Sequence, residues 1–304
     1  MDTKAKKVAV NPLAIIIVVL LILYTLIMLA LLGWTLMTTV KSRLEYEMYP
    51  MGDRLGNMLW LPKMELAFTN FSNAYKYFYV EVETASGGYD KVKILEQFGN
   101  SLLYSIGCAM TVTLSSLIMG YATARFKYKF SEIIYAFVLI TMALPIVGSM
   151  PSEIAVSQSL KMFDTFHGIW ILRASFLNTY FLIFYAQFKM IPKDYTEAAK
   201  IDGANPFTIM TQIIVPLATG TISTVFVLAF IGYWNDFQIP MVYLPTHPVA
   251  AYGMYEFQIA KIKEISYTPA RLAGILMMAL PIVIFYAVFN KKLNVNLSVG
   301  GIKG

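Results

Sequence analysis

Cysteine and histidine are nearly absent from this sequence of 304 residues. The single cysteine, Cys108, excludes a disulfide within the chain and a thiolate metal cluster, and its apolar neighbours favour a small packing residue over a nucleophile. The two histidines, His167 and His247, lie far apart in the sequence without other ligand-type residues beside them. We therefore predict no metal site and no redox chemistry.

Charged residues are scarce as well. They make up 14% of the chain, whereas an ordinary soluble domain carries about a quarter. Hydrophobic residues reach 58%, and the mean hydropathy is +0.60. This composition predicts an integral membrane protein. The net charge is +6, but the cations cluster beside apolar runs, where they orient membrane helices, so we do not expect nucleic-acid binding.

Stretches without Asp, Glu, Lys or Arg mark the candidate membrane spans, because a helix that crosses the hydrocarbon core needs ~20 apolar residues. Five stretches are suitable: 33 residues between Lys7 and Lys41, 28 between Glu96 and Arg125, 20 between Glu132 and Glu153, 33 between Asp202 and Asp236, and 19 between Arg271 and Lys291. Each is predicted to hold a transmembrane helix.

A sixth helix is predicted from about Gly168 to Gln187. Only 15 uncharged residues separate Arg173 from Lys189, so Arg173 must lie near the outer end of this helix, where its long side chain can reach the interface. Short polar connections on both sides favour six spans, and five remain the alternative.

The charge pattern around the spans predicts the orientation. Lys4, Lys6 and Lys7 precede the first apolar run, which extends from Leu13 to about Thr38 without a cleavage site and is therefore expected to stay as an anchor. The connection Arg125-Phe126-Lys127-Tyr128-Lys129 carries three cations and no acid, and Lys291-Lys292 follows the last span. Cations of short loops favour the cytoplasmic side, so both termini are predicted to be cytoplasmic.

The outer segment, about 41–97, is too polar to span the membrane. Phe71, Tyr75 and Phe78 have helical spacing, which predicts a short helix lying on the membrane or on neighbouring helices. Contact with a solute or a partner is the alternative for these aromatic residues.

The loop of about 189–216 carries many helix start and stop signals between two apolar runs. Pro192, together with Asp194 and Glu197 three residues later, predicts a helix start with a capping box. Gly203 suits the left-handed residue that ends a helix, and Asn205-Pro206 suits the cap and first residue of the next one. Pro216 is expected to mark a bend into the fifth span. A loop with so many defined turns favours docking of a partner.

This loop resembles the EAA motif of bacterial ABC importer permeases. The residues that carry the resemblance are Glu197-Ala198-Ala199, Gly203, and Ile213-Ile214-Val215-Pro216. The resemblance covers nearly all of the chain after Phe98 and is greatest to the carbohydrate branch, similar to the smaller permease subunit of the maltose transporter. Its further residues are Ile191-Pro192, Ile201-Asp202-Gly203-Ala204, Trp234-Asn235-Asp236-Phe237 and Gly300-Gly301-Ile302-Lys303-Gly304.

The resemblance implies the type I ABC importer permease fold, an all-α integral membrane protein with six transmembrane helices in one domain over residues 1–304. It implies that a short cytoplasmic coupling helix enters a cleft of an ATPase. The residues assigned to this coupling are Glu197, Ala198, Ala199, Asp202, Gly203 and Pro216.

The resemblance also implies the partners. They are a second, related permease that forms a heterodimer with this chain, two cytoplasmic ATPase subunits, an extracytoplasmic solute-binding protein, a mono- or oligosaccharide, and the lipid of the bacterial inner membrane. The chain lacks the G-x-x-x-x-G-K-S/T phosphate loop, so it is expected to be a non-catalytic subunit without a cofactor of its own. ATP and Mg²⁺ are then bound by the ATPase.

Ionisable residues near the membrane are candidates for the solute path. Asp236 follows Tyr233, Trp234 and Asn235, and this set combines aromatic rings with hydrogen-bonding groups, as sugar recognition requires. The alternative is a structural polar pair that caps the outer end of the fifth helix.

Other functions remain open at this point. An importer of amino acids or peptides fits the same motif, and an ion-coupled secondary transporter fits six helices with one membrane acid. An intramembrane hydrolase is disfavoured, because both histidines lie outside the spans and Asp236 has no second membrane acid.

Overall fold

The computed structural model describes residues 12–47, 62, 65–84, 86–126, 128–144 and 148–297, and most of them are helical. The N-terminal lysines and the terminal 300–304 motif lie outside these residues. The N-terminal part contains α1 (Pro12–Thr39), α2 (Arg43–Glu47), α3 (Thr69–Tyr77), β1 (Tyr79–Glu83) and β2 (Tyr89–Lys93). The middle contains α4 (Ile94–Arg125), α5 (Lys129–Ala143), α6 (Met150–Ser159), α7 (Phe166–Leu172), α8 (Thr179–Met190) and α9 (Asp194–Ile201). The remainder contains α10 (Pro206–Thr208), a π-helical segment (Ile209–Ile214), α11 (Val215–Leu217), α12 (Thr219–Trp234), α13 (Gln238–Tyr243), α14 (Ala250–Ile259) and α15 (Thr268–Leu297).

Two described helices, α1 and α4, are long and apolar enough to cross a membrane. They match the first two predicted spans. The pair Pro206–Leu217 and Thr219–Trp234 passes the same test with a bend of 75° between its two parts. Apolar side chains of α1 from Leu13 to Leu32 are exposed in the isolated chain, as expected of a helix surrounded by lipid.

Two predicted spans are interrupted. The prediction of one helix from Gly168 to Gln187 is wrong, because α7 ends at Leu172 and α8 begins at Thr179. The break is local in origin: the Asn178 side chain accepts hydrogen bonds from the main-chain N–H of Tyr180 and Phe181 and caps α8. In the third predicted span, α5 ends at Ala143. Leu144 has an extended backbone, as a residue before a proline prefers.

A β-hairpin departs from the all-α prediction. Strands β1 and β2 are antiparallel, with Val80 opposite Val92 and Glu81 opposite Lys91. The alternation Tyr-Val-Glu-Val-Glu puts Val80 and Val82 on the buried face, and Gly87 in the turn has a φ of +80°, which glycine adopts without strain. Period-two alternation in β1, followed by the turn residues Gly87-Gly88, was the missed signal.

The short helix predicted from the aromatic spacing is confirmed as α3, which ends at Tyr77. Phe78 therefore lies beyond the helix, where it is buried and stacks on Phe257 with ring centroids 5.2 Å apart.

The chain forms two compact units, and the prediction of one transmembrane domain over residues 1–304 stays a prediction. The first unit comprises Met1–Tyr77 with Ala260–Met277. Its centre is the buried Asn70, whose Nδ2 donates to the carbonyl oxygens of Thr39 and Lys41 and whose Oδ1 accepts from the Tyr267 hydroxyl at 2.7 Å.

The second unit comprises Phe78–Ile259 with Met278–Gly304. Helix α4 is its central element, and α7, α8, α12 and α14 all pack against it. At Gly120 the helices approach closely, since an added Cβ would lie 2.8 Å from Cβ of Phe184 and 3.1 Å from the amide nitrogen of Tyr185. A glycine is thus required for α8 to pack on α4 at this depth.

Candidate functional site

The loop 189–216, which we call the coupling loop, has the helix–turn–helix form that its sequence predicts. Helix α9 ends at Ile201, and Gly203 follows with a φ of +81°. The N–H of Ala204 bonds back to the carbonyl of Ala199 at 2.9 Å, which closes the helix end. Asn205 caps α10 by accepting a hydrogen bond from the Thr208 N–H at 2.9 Å. Local signals thus account for both helix ends around Gly203.

The predicted capping box at Asp194 is wrong. Asp194 is the first residue of α9, and Lys193 stands at the cap position with a helical backbone and no side-chain cap bond. Because the cap residue needs an extended backbone to turn its side chain towards the first amides, the helical conformation of Lys193 removes this option. Asp194 and Glu197 still place negative charge in the first turn, where it stabilises the helix.

The coupling loop has an inner face that packs on its own chain. Ala199, Ile209 and Ile214 are buried in one cluster with Tyr121 of α4 and Phe188 of α8. Ala199 therefore serves this internal contact, and its neighbours Glu197 and Ala198 are exposed. The loop is held firmly by apolar contacts on this side.

The opposite face of the coupling loop is exposed and partly apolar. Ile201 is 87% exposed and Phe207 is 70% exposed. They flank Asp202 and Gly203, which are exposed too. Two large, strongly exposed apolar side chains on either side of one turn, beside an acidic group, suit contact with another protein.

A bend separates the coupling loop from α12. The π-helical segment Ile209–Ile214 precedes Pro216, and the chain turns by 75° at Ala218. Proline lacks an amide hydrogen and clashes with the carbonyl four residues earlier, so it widens or kinks a helix. The bend predicted at Pro216 thus lies two residues after it, and Pro216 itself is exposed.

The second candidate site surrounds Asp236, just beyond the end of α12. Its Oδ2 accepts a hydrogen bond of 2.8 Å from the Tyr104 hydroxyl of α4, and its Oδ1 accepts one of 3.2 Å from the Ile239 N–H at the start of α13. Tyr104 is fully buried and meets the ring of Tyr233 edge to face, with centroids 5.7 Å apart. Asp236 thus links α4 to α13 with both carboxylate oxygens.

The neighbours of Asp236 divide between core and surface. Trp234 is only 2% exposed and packs between Phe98 and Phe230, so it belongs to the core. Asn235 is exposed, and its Nδ2 donates to the Ile231 carbonyl at 2.8 Å in the last turn of α12. The structural alternative for Asn235, a cap of this helix end, therefore has direct geometric support.

A further polar group lies in the same unit and was missed in the sequence. Arg173, expected to extend towards the interface, has its Nη2 3.7 Å from Oε2 of Glu153. The Tyr243 hydroxyl donates to the same oxygen at 3.0 Å, and the guanidinium lies over the Tyr243 ring at 5.5 Å. These residues tie α6, the end of α7 and α13 together, although no local pattern indicates their pairing.

The histidines and the cysteine have ordinary surroundings. His247 lies 3.4 Å from Asp164 and contacts the Thr246 hydroxyl. Among the residues that the structure describes, no group of three metal-ligand side chains occurs. Cys108 is buried in α4 and packs beside Tyr104.

Comparison with known proteins adds a family and a fold. The model of the family described as "Binding-protein-dependent transport system inner membrane component" matches residues 114–294. The diacetylchitobiose uptake system permease protein of Streptomyces coelicolor is 26% identical over 284 residues, which are 92% of this chain and 86% of that protein. The trehalose transport system permease protein of Mycobacterium tuberculosis is 28% identical over 216 residues, which are 68% of this chain and 78% of that protein.

One solved structure is similar along nearly the whole chain. It is a chain of a bacterial ABC transporter involved in the import of the acidic polysaccharide alginate, with a TM-score of 0.72, 19% identity, and coverage of 96% of this chain and 99% of that chain. At this identity the similarity supports the fold alone.

Proposed function

Because the chain belongs to the family of inner membrane components of binding-protein-dependent transport systems, we propose that it is a permease subunit of an ATP-driven importer for a mono- or oligosaccharide. The chain is a multi-pass membrane protein with a role in transport, and it is not an enzyme. In the proposed importer it forms half of the translocation path beside a second, related permease. Two ATPase subunits and an extracytoplasmic binding protein complete the complex.

The proposed coupling role is based on the two different faces of the coupling loop. Its inner face packs through Ala199 and Ile214 on the core of the chain, while Ile201 and Phe207 project outwards. A surface that is anchored on one side and apolar on the other suits insertion into a cleft of an ATPase. Glu197 and Asp202 add charges that bind basic or amide groups there. ATP and Mg²⁺ are bound by that subunit, and this chain needs no cofactor.

The saccharide assignment rests on the relatives. The two relatives described above are permeases of diacetylchitobiose and trehalose systems, and both solutes are hydroxyl-rich. We place Tyr233, Asn235 and Asp236 beside the solute path, with Trp234 supporting them from the core. Aromatic rings next to amide and carboxylate groups suit sugar recognition, because they offer an apolar face together with hydrogen bonds.

The proposed topology has six membrane passes with both termini in the cytoplasm. In it, α7 and α8 share one pass, and α12 forms the next pass, because the segment Pro206–Leu217 before the 75° bend belongs to the coupling loop. The cationic turn around Lys129 and the coupling loop then face the ATPase, while the β-hairpin faces outwards. The sign and position of the cations support this arrangement.

We expect cysteines at Lys129 and Lys200 to react in intact cells only with membrane-permeant thiol reagents, because both positions are exposed on the cytoplasmic side in the proposed topology. A cysteine at Tyr89 of the hairpin, which is exposed as well, should react with impermeant reagents. The native Cys108 is buried and gives a low background. Labelling of position 200 from outside would reverse the orientation and remove the coupling role.

The function itself is tested on the purified complex. We expect the ATPase subunits to co-purify with the chain, and their ATP hydrolysis to rise when binding protein loaded with trehalose or diacetylchitobiose is added. Ile201→Asp should reduce the retained ATPase by about tenfold or more, because a carboxylate placed in an apolar contact loses several kcal/mol of solvation.

Tyr128→Asp is the matched control, since Tyr128 is a similarly exposed apolar residue of the neighbouring cytoplasmic turn, outside the coupling loop. It should retain the ATPase. Stimulation by glutamine-loaded binding protein, with none by either saccharide, would assign the chain to an amino-acid importer. Uptake that an ionophore abolishes while ATP remains high would point to an ion-coupled transporter.

A further inference from the structure

Arg125 connects the central helix of the second unit to the coupling loop. It is the last residue of α4. Its Nη1 donates to the Ile191 carbonyl at 2.9 Å, and its Nη2 donates to the Pro192 carbonyl at 3.3 Å and to the Thr196 hydroxyl at 3.2 Å. The two carbonyls belong to the short connection between α8 and α9, and Thr196 lies in the first turn of α9. One side chain thus holds the start of the coupling helix.

The chemistry of this contact requires an arginine. The guanidinium is a flat fork whose donors point in fixed directions, so two terminal nitrogens reach three acceptors without changing rotamer. A lysine ammonium is a single point and cannot span them. The acceptors are fixed too, because Ile191 is buried and Pro192 has a restricted φ.

Apolar packing surrounds this contact. Tyr121 lies one turn before Arg125 and meets Phe188 edge to face, with centroids 5.5 Å apart. The hydrophobic stabilisation from burying these rings is non-directional. The hydrogen bonds of Arg125 are directional, so they add a fixed register to this packing between α9 and α4.

Helix α4 extends from this contact towards the other candidate site. Tyr104, which bonds to Asp236, precedes Arg125 on the same helix by a distance of ~32 Å, given a rise of about 1.5 Å per residue. On the turn before Tyr104, the Ser101 hydroxyl accepts a hydrogen bond of 2.7 Å from the Ala250 N–H of α14. One helix is therefore bonded to the coupling loop at one end and to the Asp236 region towards the other.

We propose that Arg125 is a positioning residue which fixes the coupling helix on α4, so that displacement of the coupling loop moves α4 and the residues around Asp236. This inference rests on the proposed function, since it concerns how the ATPase acts on the path. Arg125 itself touches neither solute nor ATP in this scheme. Its role is to keep the coupling loop at a fixed position on α4 during each cycle of ATP hydrolysis.

The test follows movement at the far end of α4 and needs no identified solute. A reporter cysteine replaces the exposed Gln238 at the start of α13, and its rate of thiol labelling is measured in the reconstituted complex with and without Mg-ATP and vanadate. ATP hydrolysis and ATPase retention are measured in parallel. The variants are Arg125→Lys, which keeps the charge and loses the fork, and Thr196→Val, which removes one acceptor with little change of shape.

We expect the reporter rate to change on vanadate trapping when Arg125 is present. In Arg125→Lys this change should fall by about tenfold, which corresponds to roughly one lost hydrogen bond to a charged donor, while ATP hydrolysis and ATPase retention persist. Thr196→Val should give an intermediate loss. Lys129→Gln removes a nearby exposed cation of the same turn and should leave the change intact.

Three outcomes of the labelling experiment would overturn the inference. They are an unchanged response in Arg125→Lys, an equal loss in Lys129→Gln, and a reporter that does not respond even beside native Arg125. Loss of the ATPase from Arg125→Lys would assign Arg125 to docking and would also contradict transmission. Failure of the unmodified chain to co-purify with any ATPase is a separate result, because it removes the proposed function rather than this step within it.

Discussion

Gly203→Val is expected to uncouple the importer, with solute uptake falling by about tenfold or more while the chain still reaches the membrane. Gly203 has a φ of +81°, and an L-residue in this left-handed region costs roughly 1–2 kcal/mol, with a higher cost for β-branched side chains. The strain is relieved if the turn opens, which displaces Ile201 relative to Phe207. The two apolar groups of the outer face then no longer match one cleft.

The environment of Gly203 makes this a test of backbone conformation alone. Apart from its two neighbours in the sequence, no residue has an atom within 4 Å of the position that a Cβ at Gly203 would occupy, so a Cβ meets no clash from the rest of the chain. Asparagine tolerates the left-handed region better than other residues with a side chain. Gly203→Asn is therefore the matched control and should keep most of the uptake, although it is larger than alanine.

Co-purified ATPase and uptake in vesicles are measured for each variant. Uptake is expected to decrease in the order Gly203, Gly203→Asn, Gly203→Ala, Gly203→Val, because the cost of a positive φ rises in that order. If alanine and valine both matched glycine, the turn would not need its observed conformation for coupling. If asparagine were the most damaging, crowding against the ATPase would replace backbone strain as the explanation.

The coupling loop was predictable because its determinants are close together in the sequence. A glycine after α9 and the Asn205-Pro206 pair each act on amides or carbonyls within a few residues. Such signals depend little on the rest of the chain. The incorrect prediction of a cap at Asp194 was also a local error, because the observed cap position, Lys193, is only one residue away.

The contacts that tie the loop and the candidate path to α4 were not predictable in the same way. Tyr104 and Asp236 are 132 positions apart, and an aromatic residue in an apolar helix shows no sign of a distant carboxylate. Arg125 was interpreted only as an orientation signal, because two of its acceptors are main-chain carbonyls. Every residue has such a carbonyl, so no residue type marks the partner.

The hairpin and the break between α7 and α8 were missed for another reason, since both have local signals. Counting charges along the chain averages over some twenty residues, which suits a helix that crosses a membrane. That window is longer than β1 or the cap at Asn178. Composition over a long window therefore predicts which segments of the chain are apolar. Shorter sequence patterns determine where these segments are divided into separate helices and strands.

Asp236→Ala is expected to lower the stability of the complex substantially. It leaves the buried Tyr104 hydroxyl without an acceptor, which costs about 1–3 kcal/mol, and removes the bond to the Ile239 N–H at the start of α13, which is worth about 0.5–2 kcal/mol. Thermal unfolding in detergent or nanodiscs measures the loss. We expect a clear decrease of Tm relative to Asn235→Ala, whose exposed side chain bonds only to a carbonyl within its own helix.

A double-mutant cycle identifies the partner. Tyr104→Phe keeps the buried ring and removes only the hydroxyl, so Asp236→Ala should cost less in the Tyr104→Phe background than in the parent chain. Additive effects of the two substitutions would show that the 2.8 Å contact contributes nothing to stability.

Asp236→Asn separates this role from solute recognition, because its amide oxygen still accepts one of the two hydrogen bonds while the charge is lost. If Asp236 also contacts the saccharide, Asp236→Asn should raise the solute concentration for half-maximal uptake, with a Tm between those of the parent chain and Asp236→Ala. An unchanged half-maximal concentration would leave Asp236 as the residue that joins α4 to α13, and would remove it from the solute path.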